Sequence, residues 1–197
     1  MQLKLNQVAP AWPVVQQSPK IIVPRNRTQP VSSEMQRCVI LPDAQIGYFR
    51  NRKNKLEPTH DEKAISLALD ITRMVNPDIV VLLGDNLDLP ELSKYRITPA
   101  YQQTTQATID RAAIFCGQVR DAAPHARIVW LAGNHEERLP NHILDNARAA
   151  FGLRRGNIPD TWPVLSVPYL CRMEDFGIEY HPGYPANHVW LNSKIRI

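Results

Sequence analysis

Two stretches of this chain, Asp78-Ile-Val-Val-Leu-Leu-Gly84 and Ala126-Arg-Ile-Val-Trp-Leu-Ala-Gly133, are apolar almost without interruption and rich in β-branched residues. A half-solvated strand alternates apolar and polar side chains. A continuous run fits a strand covered on both faces, as in a parallel sheet flanked by helices. A shorter run, Cys38-Val-Ile-Leu41, ends at Pro42-Asp43 in the same way.

The intervening segments read as helices. Thr59 and Glu62 form a capping box ahead of a helix whose apolar face is Ala64, Ile65, Ala68, Ile71 and Val75, stopped by Asn76-Pro77. A polar segment then leads to a second helix with a stripe of Ile109, Ala112, Ala113, Cys116 and Val119. Strand, helix, strand, helix, strand predicts an α/β domain with neighbouring parallel strands. Farther on, helices are expected over 141–150 and 169–176. Strands are expected over 178–181 and 189–197, antiparallel about the Pro182-Gly183 turn.

Residues 1–36 differ: Pro10, Pro13, Pro19, Pro24 and Pro30 recur without a glycine, which forbids a long helix. We expect an extended arm over 1–36 and one domain over 37–197. Arg25 and Arg27 are open to two readings, a solvated arm or a nucleic-acid contact. There is no run of about 18 apolar residues and no signal-peptide layout, so no membrane partner and a cytoplasmic location are expected. The net charge of +4 suits an anionic partner such as a nucleotide or nucleic acid. Cys38, Cys116 and Cys171 are far apart and form no C-x-x-C pair, so three free buried thiols are expected.

The chemistry lies at the strand ends. The first strand runs into Asp43-Ala44-Gln45, the second into Gly84-Asp85-Asn86-Leu87-Asp88, and the third into Gly133-Asn134-His135-Glu136. Ligands of open parallel sheets bind beyond the carboxyl ends of the strands, so Asp43, Asp85 and Asn134 are expected to meet in one crevice. Oxygen ligands with a few imidazoles suit Mn, Fe, Zn, Co or Ni. A carboxylate bridging two such ions about 3.5–4 Å apart lets both polarise one water, which can then attack phosphorus in line.

In this order, the three segments resemble the first three motifs of the calcineurin-like metallophosphoesterase superfamily, D-x-H, G-D-x-x-D and G-N-H-[DE]. The run Gly133–Leu139 is similar to versions common in phage and bacterial members. The resemblance implies a mixed β-sheet sandwich flanked by helices and two divalent metal ions. It implies Asp43 on the first metal, Asp85 bridging, and Asn134 on the second. His135 would contact the phosphoryl group or protonate the leaving oxygen, and Asp88 and Glu136 would be supporting carboxylates.

Two departures stand out. Gln45 replaces the usual histidine, which shifts the first metal position toward Mn or Mg. The later motifs, a strand-end histidine and G-H-x-H, are missing before Ile197, which predicts a domain cut short there. His181 and His188 are the candidates for a replacement ligand; His60, His125 and His142 are expected to be surface or capping residues.

The expected activity is metal-dependent hydrolysis of phosphate esters in one step, as a phosphomono- or diesterase, a nuclease or a nucleotide phosphatase. The alternative is a catalytically silent binding module on the same fold. The basic loop Arg50–Lys55 closely follows the first motif and has two readings, phosphate steering or a solvated loop.

Overall fold

A computed structural model describes residues 36–197. Apart from Gln36, the segment expected to form an N-terminal arm lies outside the described residues. The elements are β1 (Cys38–Leu41), β2 (Tyr48–Arg50), β3 (Leu56–Pro58), α1 (Glu62–Val75), β4 (Ile79–Leu83), α2 (Thr105–Ala122), β5 (Arg127–Leu131), α3 (Arg138–Asn146), α4 (Val167–Leu170) and β6 (Ile178–His181). Strands β1, β4, β5 and β6 form one parallel sheet in the order β1-β4-β5-β6, and β2 pairs with β3 in a small antiparallel sheet. The fold is therefore mixed α/β. No helix among the described residues is long and apolar enough to cross a membrane.

The continuous apolar runs divide by period two. Val80, Leu82, Ile128 and Trp130 face a large cluster with Ile65 and Leu69 of α1 and Ala112, Phe115, Cys116 and Val119 of α2. Ile79, Val81, Val129 and Leu131 face the other way, where Val189, Leu191 and Ile197 pack on them. That second face is only partly covered: Ile40 is 44% and Leu83 37% exposed. On the first face Trp130 is fully buried, and truncating such a side chain to alanine costs about 3–5 kcal/mol.

Several expectations are corrected. The N-cap of α1 is Asp61, whose carboxylate accepts from the backbone N–H of Lys63 and Ala64 at 2.8 and 3.1 Å; Glu62 is used elsewhere. The buried face of α1 is Ile65, Leu69 and Thr72, while Ala64 and Ile71 are exposed. Asn76 does cap its C-terminus, in the left-handed conformation. The helix expected over 141–150 begins earlier, at Arg138, and that over 169–176 is two short turns. Strand β6 joins the sheet parallel to β5. Residues 189–197 form no strand: a single Trp190–Arg196 bridge closes a turn that lies on the sheet. His60 is buried, with Nδ1 2.9 Å from the Gly47 carbonyl oxygen and Nε2 2.8 Å from Glu62. Cys38 is only half-buried.

Candidate functional site

Because β1, β4 and β5 run parallel and in register, they end side by side, and backbone pairing continues past their ends. Asp43 N–H donates to the Gly84 carbonyl at 3.3 Å, Gln45 N–H to that of Asp85 at 3.1 Å, and Ile46 N–H to that of Asn86 at 2.8 Å. In return Asp88 N–H donates to the Ile46 carbonyl at 2.8 Å. On the other side, His135 N–H donates to Asp85 Oδ1 at 2.9 Å. The segments Asp43–Gln45, Asp85–Asp88 and Asn134–His135 thus share one rim.

The backbone here is strained. Asp43, Gln45 and Asp85 have φ of 50°, 46° and 49°, a region that costs a non-glycine residue roughly 1–2 kcal/mol. Such strain clusters where a site needs fixed geometry.

Glu136 holds the rim together from beneath. It is fully buried. Its Oε2 accepts from the backbone N–H of Gly133 (2.7 Å) and Asp85 (3.0 Å), and its Oε1 from those of Asn86 (2.9 Å) and Leu87 (3.2 Å). Burial pushes this carboxyl above its ordinary range and the N–H bonds work against that shift. All four partners are donors, so the loops are built around the anion. Glu136 supports the site through backbone positions and is out of a substrate's reach.

Arg138 is a residue the motif reading missed. It opens α3, donates from Nη1 to Asp88 Oδ1 at 2.9 Å, and places Nη2 2.8 Å from His135 Nε2. Across the same ring, His135 Nδ1 lies 3.4 Å from Asp88 Oδ1, a polar contact longer than a formed hydrogen bond. Asp88 raises the His135 pKa above its ordinary value, more than burial and the Arg138 charge lower it. Burial is the largest single influence on Asp88 and raises it, yet His135 and Arg138 together hold it below the usual carboxylate range. The result is a polar triad beside Asp85: one carboxylate, one guanidinium and one imidazole.

Asp43 and Asn134 are exposed, and Gln45 and Asp85 are half-buried. Among the described residues no three His, Cys, Asp or Glu side chains are grouped closely enough to hold a cation by themselves. The rim offers two carboxylates and two amides, and oxygen donors of this kind fit a hard divalent ion such as Mn²⁺ or Mg²⁺. Beside Asp85 in sequence, the fully buried Asn86 amide has neither its oxygen nor its nitrogen paired among the described residues. His181 ends β6 opposite Leu131. Its Nδ1 faces the His188 carbonyl at 3.3 Å, while His188 itself is exposed. A backbone carbonyl on one ring nitrogen fixes a histidine's tautomer and ring orientation.

His142 hydrogen-bonds with Asn146 of its own helix, and His125 is exposed. Burial pushes the Cys116 thiol up to about 12, which removes it as a nucleophile. No family model, curated protein or solved structure matches the chain.

Proposed function

We propose that this chain is a metal-dependent hydrolase of phosphate esters, and that its fold is of the metallophosphatase sandwich type. The carrying observation is the joining of three strand-end segments into one rim, with the Asp85 carboxylate tied to the His135 backbone at 2.9 Å. The sheet order and the half-covered second face also support the fold reading.

Asp43, Gln45, Asp85 and Asn134 would hold two divalent cations, Mn²⁺ being the best match to their oxygens. When bound, these ions supply charge neutralisation at the phosphoryl oxygens and acidify a water molecule. The protein's own groups do the rest. Glu136 fixes the backbone of both loops, so the donors are preorganised. Arg138 presents a fork of N–H donors suited to phosphoryl oxygens. His135 carries the proton for the leaving oxygen, and Asp88 stabilises the imidazolium that must form. To reach an ester oxygen, His135 Nε2 exchanges its Arg138 contact for the substrate.

The test is metal content together with turnover of bis(p-nitrophenyl) phosphate in added Mn²⁺. Asp85→Asn should lower kcat/KM at least 100-fold, or about 2.7 kcal/mol, with the far-UV spectrum unchanged. Gln45, an amide where the resembled motif has an imidazole, favours a second reading, a binding module without catalysis. No metal uptake and no turnover by the folded protein would establish that reading instead.

A further inference from the structure

The two segments that leave the candidate rim together carry a formal charge equal to that of the whole chain, +4. One is the β2–β3 hairpin, which follows Gln45; the other is the loop from Pro90 to Thr104, which follows Asp88. Together they hold six basic residues against two carboxylates, Glu57 and Glu91, while the rest of the chain carries equal numbers of each sign. Neither carboxylate neutralises the basic residues. Glu57 accepts from Asn51 Nδ2 at 2.7 Å. Glu91 closes the neck of the loop, accepting from the backbone N–H of Gln103, Thr104 and Thr105.

Arg50 joins the segments. Its guanidinium donates to the Asn54 carbonyl in the hairpin turn (3.2 Å) and to the Gln102 and Gln103 carbonyls in the loop (3.0 and 3.1 Å). The other five, Arg52, Lys53, Lys55, Lys94 and Arg96, are exposed and make no ion pair among the described residues. Between Lys94 and Arg96 stands Tyr95, 71% exposed, with the Lys94 ammonium 5.4 Å from its ring centre. The hairpin's own aromatics, Tyr48 and Phe49, are half-buried in β2; the exposed ring on these two segments is Tyr95 of the loop. Unpaired cations with an exposed ring are what binds a polynucleotide backbone and stacks a splayed base.

We propose that the Arg50-stapled hairpin and loop form a track for single-stranded nucleic acid leading to the rim. Polynucleotide phosphodiesters are then the substrate class, an assignment that rests on the phosphoesterase reading above. Base stacking on Tyr95 requires an unpaired strand, which selects single-stranded over duplex substrate.

The experiment is fluorescence anisotropy of a labelled 15-nucleotide oligothymidylate with the full chain in EDTA, across a salt series. Substituting Arg52→Ala, Lys53→Ala and Lys55→Ala together should weaken binding at least tenfold. It should also flatten the slope of log K against log salt by about two, at roughly 0.7 per phosphate contact. Tyr95→Ala should weaken binding roughly tenfold with the slope unchanged. Thermal melting of each variant checks that it remains folded. Wild-type protein that binds no oligonucleotide at low salt, or folded variants that bind as wild type, would overturn the track. Small-diester turnover without oligonucleotide binding sinks the track and leaves the hydrolase. Oligonucleotide binding with no turnover of any phosphodiester leaves the binding surface but removes the substrate assignment together with the hydrolase reading.

Discussion

The Asp85 carboxylate and the His135 backbone N–H, 2.9 Å apart, couple the loops that follow β4 and β5. The coupling is close because Gly133 lies between them. A Cβ at that position would sit 2.2 Å from Asp85 Oδ1 and 2.4 Å from Asp85 N. The second contact is with backbone, so no side-chain rotation relieves it. Gly133→Ala should therefore cost about 2 kcal/mol or more, roughly 4–8 °C in Tm, and misplace Asp85. Gly156, with open space around its Cβ direction, supplies the control: Gly156→Ala should melt within about 1 °C of wild type. Equal melting of the two variants would contradict the close packing of Gly133 on Asp85.

Glu136 makes a sharper demand. Each of its oxygens accepts two backbone N–H groups. In Glu136→Gln one oxygen becomes an NH₂ facing two donors. The shape is kept and the hydrogen bonding is inverted, so the expected loss is about 2–4 kcal/mol by urea denaturation. Because those N–H groups belong to both rim loops, the Mn²⁺ affinity of the proposed site should fall with stability. A variant as stable as wild type would show that the four bonds do not organise the rim.

Away from the rim, α1 and α2 are clamped by Glu62 and Arg111, whose guanidinium donates to both carboxylate oxygens at 2.8 and 2.7 Å. That hydrogen bonding, more than the opposing effect of burial, lowers the Glu62 pKa to about 2 from 4.5. A depressed carboxylate binds protons more weakly in the folded state. Its contribution is therefore complete above about pH 4.5 and fades as the pH falls toward 2. Since the Glu62 side chain is 49% exposed, solvent screening leaves on the order of 1 kcal/mol. The stability difference between wild type and Glu62→Gln, from urea midpoints, should be constant above pH 5 and vanish toward pH 2–3. A difference that grows with acidity would contradict the clamp.

If His135 supplies the leaving-group proton, its importance must depend on the leaving group. An alkoxide needs protonation; p-nitrophenolate does not. His135→Ala should reduce kcat about 100-fold or more for an alkyl phosphodiester and far less for an aryl one. Equal losses for both would assign the residue to binding.

The legible parts of the fold were those where one pattern had one explanation. β4 and β5 are continuously apolar, and the glycine-led polar segments after them have no other place to go than the sheet edge. α1 was harder to orient, because Leu67, Ile71 and Met74 are apolar yet exposed, so apolar residues occur on two sides of the helix. Residues 189–197 are as apolar as an edge strand, but Val189, Leu191 and Ile197 cover the sheet face rather than extend the sheet. The Arg138 contact with Asp88 and His135 had no signal in spacing: it depends on α3 starting at Arg138, which brings the guanidinium back over the β4 loop. The burial of His60 likewise comes from a partner distant in sequence, Gly47.

Gln45 offers a gain-of-function test of the whole rim. Its φ of 46° lies in the left-handed region, which histidine adopts more readily than glutamine does. Gln45→His therefore asks nothing new of the backbone, while replacing an amide oxygen with an imidazole nitrogen. Imidazole prefers borderline ions such as Zn²⁺ and Co²⁺, and amide oxygen prefers Mn²⁺ and Mg²⁺. If Gln45 faces a cation beside Asp43, the variant should bind Co²⁺ at least tenfold more tightly, about 1.4 kcal/mol, with little gain for Mg²⁺. Competition titration followed by the visible Co²⁺ spectrum measures both the affinity and the change in ligand type. An unaltered affinity and spectrum would mean that position 45 points away from any ion, and Gln45 would drop out of the proposed ligand set.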